Sequence, residues 1–383
     1  MISVFIQFFI LGLYSFGGPA AHIGFFRKQF VEKEKWLKDE EFSSGFALCQ
    51  FLPGPASSQL GMYIGYHKAG YLGALAAFIG FTFPSFALLT GLAILNTEMP
   101  DLYWVQIMVT AAKLLAVVVV ADAILSMGKN FITDKITAGF AVITCVVLVL
   151  FSHVATQLII LILAGAFGIY RAKKATREEH HKLEPFSINK IAFILFSTCL
   201  AVSLFVPGSA LYSLFSVFYQ AGSFVFGGGH VVLPLLEPMM KEMVTPDQFI
   251  SGYAFAQLVP GPMFTLAGYL GANISGINPV LGSVVATVAV FLPGAFLLFA
   301  VLPAWKVISQ DPLVKQGIVY INACVVGLLL AAFINPVWTS AISSVWHGLF
   351  VIFLFALMRK FKWGVPYIAL ACVGFSLAAS VLS

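Results

Sequence analysis

Two copies of a proline-glycine-proline triplet, Pro53-Gly54-Pro55 and Pro260-Gly261-Pro262, carry the plainest chemical meaning in this 383-residue chain. Proline removes a backbone donor and clashes with the preceding turn, while glycine relaxes the path, so a helix running into the triplet stops and a new one starts behind it. The restart reads Ala56, Ser57, Ser58, Gln59 in the first copy and Met263, Phe264, Thr265 in the second. The unpaired N–H groups at a helix start sum to about half a positive charge, and small residues let an anion come close. Ser57, Ser58 and Thr265 add hydroxyls, and Gln50 and Gln257, each three residues ahead of the first proline, add amide donors. The chemistry expected is non-covalent binding of an anion. A plain helix kink is the simpler alternative, and the recurrence of the triplet in matching context argues against it.

Further groups fit the same chemistry. The glycine runs Gly17-Gly18 and Gly227-Gly228-Gly229 either expose N–H groups to an anion or let helices pack closely, and His230 follows the second run. Lys113 lies near the centre of the apolar stretch 103–127, where a charge costs about 2.5 to 3.5 kcal/mol, which makes it a candidate for attracting an anion. Asp122, nine positions on, faces away from it, and Glu237 sits beside apolar sequence in VVLPLLEPMM; these two acids are the candidates for proton coupling. His22 reads as a buried packing histidine. Thr245-Pro246-Asp247-Gln248 has the form of a capping box with proline at the first helical position. No G-x-x-x-x-G-K-[ST], H-E-x-x-H or G-x-S-x-G occurs, so neither ATP-driven transport with an ATPase subunit nor enzymatic activity is indicated. The five cysteines show no C-x-x-C spacing, and no metal or cofactor is expected.

The elements that must position these residues belong in lipid. Hydrophobic residues make up 60% of the chain, charged residues 10%, and mean hydropathy is +0.97, too little charge to coat a soluble protein of this size. The net charge of +5 comes from basic residues beside apolar spans, where membrane orientation accounts for them and a nucleic-acid partner is not needed. Residues 41–65 return as 248–271, and the match extends to SFGG against VFGG and to FTFP against VFLP, so the chain is a duplication. Its parts read as an N-terminal repeat (1–170), a cytoplasmic basic linker (171–190), a linker transmembrane helix (191–210) and a C-terminal repeat (211–383). Simple spans are expected at 70–95, 103–127, 132–151 and 153–170, then at 190–206, 278–303, 315–335 and 338–358. With Arg27, Lys28, Lys33, Lys35 and Lys38 inside, the positive-inside rule balances only if each P-G-P segment enters and leaves on one face, from the cytoplasm in the first copy and from outside in the second. The fold class expected is therefore an all-α polytopic membrane protein of two inverted-topology repeats. Each repeat has two re-entrant broken-helix hairpins followed by about four transmembrane helices.

The segments SFGGPAAHIG, ALCQFLPGPASSQLGMYIG, SFVFGGGHVVLPLLE and GYAFAQLVPGPMFTLAGYLGA together resemble the signature segments of the chromate ion transporter family in its long form, with both halves fused. The resemblance spans nearly the whole chain. It implies a secondary transporter of chromate, with sulfate as a relative of the substrate, that exports chromate across the cell inner membrane and confers resistance. The family's motif residues carry over to Gly17, Gly18, Pro19, Gln50, Pro53, Gly54, Pro55, Gly227, Gly228, Gly229, His230, Gln257, Pro260, Gly261 and Pro262. A passive anion channel and an uptake carrier for sulfate or another oxyanion stay open as alternatives, as does self-association into a homo-oligomer. The residues themselves specify only an anion.

Overall fold

The computed structural model describes residues 1–16, 18–98, 103–151, 153–175, 186–206, 208–226 and 232–382. The described residues form helices and turns. Helix α1 (Ile2–Tyr14) ends just before the first glycine pair, and α2 (Gly18–Phe26) starts at the second glycine of that pair, continuing as a wider π-type turn over Arg27–Lys33. Helix α3 (Asp39–Phe51) opens with Asp39, Glu40 and Glu41, acids suited to the positive end of the helix, and the Glu41 carboxylate accepts the Lys38 N–H at 2.8 Å. The chain then breaks at Leu52 to Pro55 and restarts as α4 (Ala56–Glu98), which is itself interrupted at Ala69 and Gly70. Helices α5 (Tyr103–Phe131), α6 (Lys135–Leu150) and α7 (Val154–Ala175) complete the first half, and α8 (Lys190–Phe205) follows.

The second half repeats this order. Helices α9 (Ala210–Phe224) and α10 (Val232–Met240) flank the second glycine run, and α11 (Pro246–Leu258) leads into the second break. The capping box expected at Thr245 is present. Thr245 Oγ1 accepts the Gln248 N–H at 3.2 Å, and the Gln248 side chain accepts the Thr245 N–H at 3.0 Å. A 3-10 turn over Met263–Thr265 leads into α12 (Leu266–Ala272), then α13 (Pro279–Val301) and the short α14 (Trp305–Ile308). Helix α15 (Pro312–Ala332) distorts at Phe333–Trp338 around Pro336 and passes through α16 (Thr339–Ala341) to α17 (Val345–Phe361) and α18 (Val365–Leu382). The span expected at 338–358 thus starts later, at Val345, because Ser344 caps the helix by accepting the His347 N–H at 3.2 Å.

Five helical stretches among the described residues are long and apolar enough to cross a bilayer: Ala56–Thr97, Gln106–Phe131, Ala155–Lys174, Pro279–Ile308 and Pro312–Ala341. Their outer faces carry exposed Ile162, Leu163 and Leu281, side chains suited to lipid. By contrast α3 and α11 have 13 residues each, about 20 Å of helix and short of the roughly 30 Å hydrocarbon core. Packing mixes the halves. Helices α6 and α7 lie against α15, whereas α17 and α18 lie against α5, so each half closes over the long helix of the other. An apolar core that includes Val117, Phe218, Tyr253, Tyr269, Tyr320 and Leu328 draws on both halves, and a second gathers Phe8, Phe26, Phe30 and Phe81 with Leu298. Thr245→Ala should lower stability by about 1 kcal/mol through the lost cap, read as a fall in the thermal unfolding temperature of the purified protein in detergent.

Candidate functional site

The two P-G-P breaks form as the residue types dictate. Leu52 and Val259, each preceding a proline, are extended, with φ/ψ of −77/147 and −89/138. Gly54 and Gly261 sit at φ +116 and +98, where a side chain would be strained. Each glycine also touches the opposite half: a Cβ on Gly54 would lie 3.1 Å from Gly294 Cα, and one on Gly261 would lie 2.9 Å from Ser85 Oγ. Gly294 and Ser85 follow the equivalent prolines Pro293 and Pro84.

The breaks are joined reciprocally. The Gly54 N–H donates to Val225 O at 2.7 Å, and the Gly261 N–H donates to Ser15 O at 3.0 Å. Val225 and Ser15 are the residues at which the two glycine-run segments begin, so each break docks on the glycine-run segment of the other half. Gly18 is described, at φ +72; Gly17, Gly227, Gly228, Gly229 and His230 lie outside the described residues. His22 is buried, its Nε2 paired with Ser15 O at 3.1 Å and its ring edge-on to Phe81 at 5.1 Å. Because Ser15 O can only accept, Nε2 carries the hydrogen and Nδ1 keeps a lone pair, which has no partner among the described residues.

The restarts differ chemically. In the first copy Gln59 N donates to Pro55 O at 3.0 Å, leaving the N–H groups of Ser57 and Ser58 ahead of the intrahelical ladder. Both serines are buried, and Ser58, 2% exposed, has an Oγ without a hydrogen-bond partner among the described residues. In the second copy Thr265 folds back, its N–H and its hydroxyl donating to Pro262 O at 3.0 and 2.6 Å. Gln257 is half-buried with Nε2 2.6 Å from Met263 Sδ, and Gln50 is half-buried in the last turn of α3. Pro55, Pro260 and Pro262 are buried and Pro53 is half-buried. Among the described residues the first break therefore presents a buried helix start with an unpaired hydroxyl at Ser58, whereas the hydroxyl of the second, Thr265, is satisfied within its own turn.

Gln59 is the residue that sequence reasoning passed over. Fully buried, it donates from Nε2 to Pro53 O at 3.0 Å and to Gly294 O at 3.1 Å, bridging the first break to the second half. The second copy holds Leu266 at the comparable place, and that difference between the copies was the available signal.

Three expected charges stand elsewhere. Lys113 pairs with Asp247 at 2.8 Å, with side chains 15% and 72% exposed. Asp247 opens α11, about 16 Å of helix from the break at its other end, so the Lys113 amine reaches an exposed carboxylate and not the P-G-P breaks. Asp122 pairs with Arg359 at 2.9 Å, and Glu237 lies 3.8 Å from Lys241. Among the described residues no group of three or more His, Cys, Asp or Glu is placed to hold a metal ion.

These features define a helical, multi-pass membrane protein whose two halves meet at a pair of broken helices. The chain belongs to the chromate transporter family, whose model matches residues 2–169 and again 212–377. It is similar to an uncharacterized transporter of Methanocaldococcus jannaschii, 27% identical over 343 residues, covering 87% of this chain and 84% of the relative. It is similar also to chromate transport proteins of Cupriavidus metallidurans, 26% identical over 361 residues (93% of this chain, 87% of the relative), and of Pseudomonas aeruginosa, 24% over 359 residues (87% and 80%). No solved structure matches.

Gly54→Ala and Gly261→Ala should each destabilise the protein by about 1 to 3 kcal/mol, because both introduce strain at positive φ and separate the halves. Thermal unfolding of the single and double variants in detergent checks this, with a double-variant loss smaller than the sum expected for two ends of one interface.

Proposed function

We propose that this chain is a secondary transporter that carries chromate, and the similarly shaped sulfate, across the inner membrane, binding the oxyanion at the first P-G-P break. The observation that carries the reading is the open start of α4: buried N–H groups ahead of the helical ladder, the unpartnered Ser58 Oγ, and Gln59 tying the break to the other half. Buried donors at a helix start favour a tetrahedral oxyanion, which accepts from several directions at once. Family membership and the chromate transport proteins among its relatives support the choice of substrate.

The 13-residue helices α3 and α11, too short to span, support the reading of each P-G-P segment as a re-entrant hairpin, and the reciprocal glycine contacts support a two-fold relation between repeats. The basic residues of the chain then orient those repeats as inverted, a plan in which a midplane site is exposed alternately to either face. Export is the favoured direction on energetic grounds. A dianion leaving a cell negative inside gains about 4.6 kcal/mol at 100 mV, at ~2.3 per charge, so no pump is required, and export confers resistance.

Chromate flux into inverted membrane vesicles tests the reading. Ser58→Ala should cut flux about tenfold or more, matching the loss of a hydrogen bond to a charged group at ~1.5 to 3 kcal/mol; Gln59→Leu, which leaves the buried Pro53 and Gly294 carbonyls without their donor at a cost of ~1 to 3 kcal/mol, should cut it about tenfold as well, whereas Thr265→Ala should leave it within about threefold. Unchanged flux in both Ser58 and Gln59 variants would place the anion elsewhere. The inverted topology is checked separately by a cysteine at position 243, which should react with a membrane-impermeant thiol reagent from outside intact cells; labelling only after the cells are opened contradicts it.

A further inference from the structure

Away from the paired breaks, a cavity of about 70 Å³ opens between α6, α7, α10 and α15. It is large enough for more than one water-sized occupant, each of which needs about 10–15 Å³. Its polar wall is dominated by acceptors. Gln157, 3% exposed, turns its amide nitrogen to Pro234 O at 2.8 Å; a carbonyl can only accept, which fixes the other amide atom as oxygen. That oxygen, Oε1, is buried and has no partner among the described residues. Glu237 lines the same cavity with a side chain 18% exposed. Pro234, Pro238 and Pro336 on the wall have no N–H to give. Asn335, exposed, also lines it, and its Oδ1 accepts the Thr339 hydroxyl at 3.2 Å.

Among the described residues the charges around Glu237 are few. Lys241, in the turn that follows α10, stands at 3.8 Å, beyond hydrogen-bonding distance, with half its side chain exposed. Helix α9, packed against α10, has no Asp, Glu, Lys, Arg or His. The charged residues of α6, α7 and α15 (Lys135, Arg171, Lys173, Lys174 and Lys315) sit at the ends remote from the cavity, and His153 in the α6–α7 turn is exposed. Glu237 thus has one ammonium at 3.8 Å, while Gln157 Oε1, lining the same cavity, has no partner among the described residues; two oxygen acceptors facing a common buried space are costly unless a proton or cation lies between them.

We propose that this cavity is a binding site for a small monovalent cation, a proton or Na+, held between the Glu237 carboxylate and Gln157 Oε1. Protonated, Glu237 would donate its O–H to Oε1; with Na+, both oxygens would be ligands. Helices α6 and α7 belong to the first half and α10 and α15 to the second, so an occupant ties the halves together and its departure loosens them. Resting on the transporter reading, this places the coupling ion at Glu237 and removes Asp122, locked to Arg359, from that role.

The test uses the purified full-length protein and two probes: equilibrium binding of radioactive Na+ at constant ionic strength, and infrared difference spectra between neutral and alkaline pH, a range in which ordinary carboxyl groups are already ionised and only a carboxyl group still protonated at neutral pH gives a band. Wild type should give one of the two signals. Glu237→Gln should abolish it; Gln157→Leu should weaken Na+ binding at least tenfold or shift the carboxyl band. Neither signal in wild type, the result of a cavity holding only water, overturns the proposal, as does a signal unchanged in both variants. Chromate flux measured on the same preparation separates the two readings: flux without a cation signal removes the cation site alone, and a cation signal without flux removes the transporter reading alone.

Discussion

A buried backbone N–H has to find an acceptor, and at both P-G-P breaks the acceptor comes from the other half of the chain. Gly54 N–H reaches Val225 O and Gly261 N–H reaches Ser15 O. Proline on either side denies each glycine a helical continuation, and positive φ turns its N–H outward from the helix it ends. The break of one half is therefore completed only by the glycine-run segment of the other. The exchange of α6 and α7 for α17 and α18 around α15 and α5 reinforces this, because the larger apolar core draws on both halves.

Within that shared frame the halves have diverged. Ser57, Ser58 and Gln59 leave the first helix start open and bridged, whereas Thr265 returns its hydroxyl to Pro262 and Leu266 offers no bridge. On the proposed function the first break holds the ligand and the second serves as its structural counterpart.

Much of this was legible in the sequence where the determinants are local. The triplets marked the breaks, Thr245 to Gln248 marked a helix start, and long apolar runs marked the spans. The late start of α17 was missed because Pro336 and the Ser344 cap together displace it. Partnerships across the chain left no such trace: Gln59 and Gly294 are 235 residues apart, and Lys113 and Asp247 are 134 apart. Lys113 looked like a charge stranded in lipid because its span was visible and its partner was not; a long flexible stem reaching an exposed carboxylate resolves the cost. Likewise Glu237 was visible as an acid in apolar sequence, while Gln157, on a different helix, gained meaning only from the cavity they share.

The central claim is that a tetrahedral oxyanion sits at the open start of α4, between the first break and the second half. Crystals grown with selenate, a dianion of the same shape as chromate, would locate it directly by anomalous scattering from selenium. A peak within hydrogen-bonding reach of Ser58 Oγ and the first N–H groups of α4 is the expected result. A peak beside Lys113, or one away from both breaks, would contradict the account.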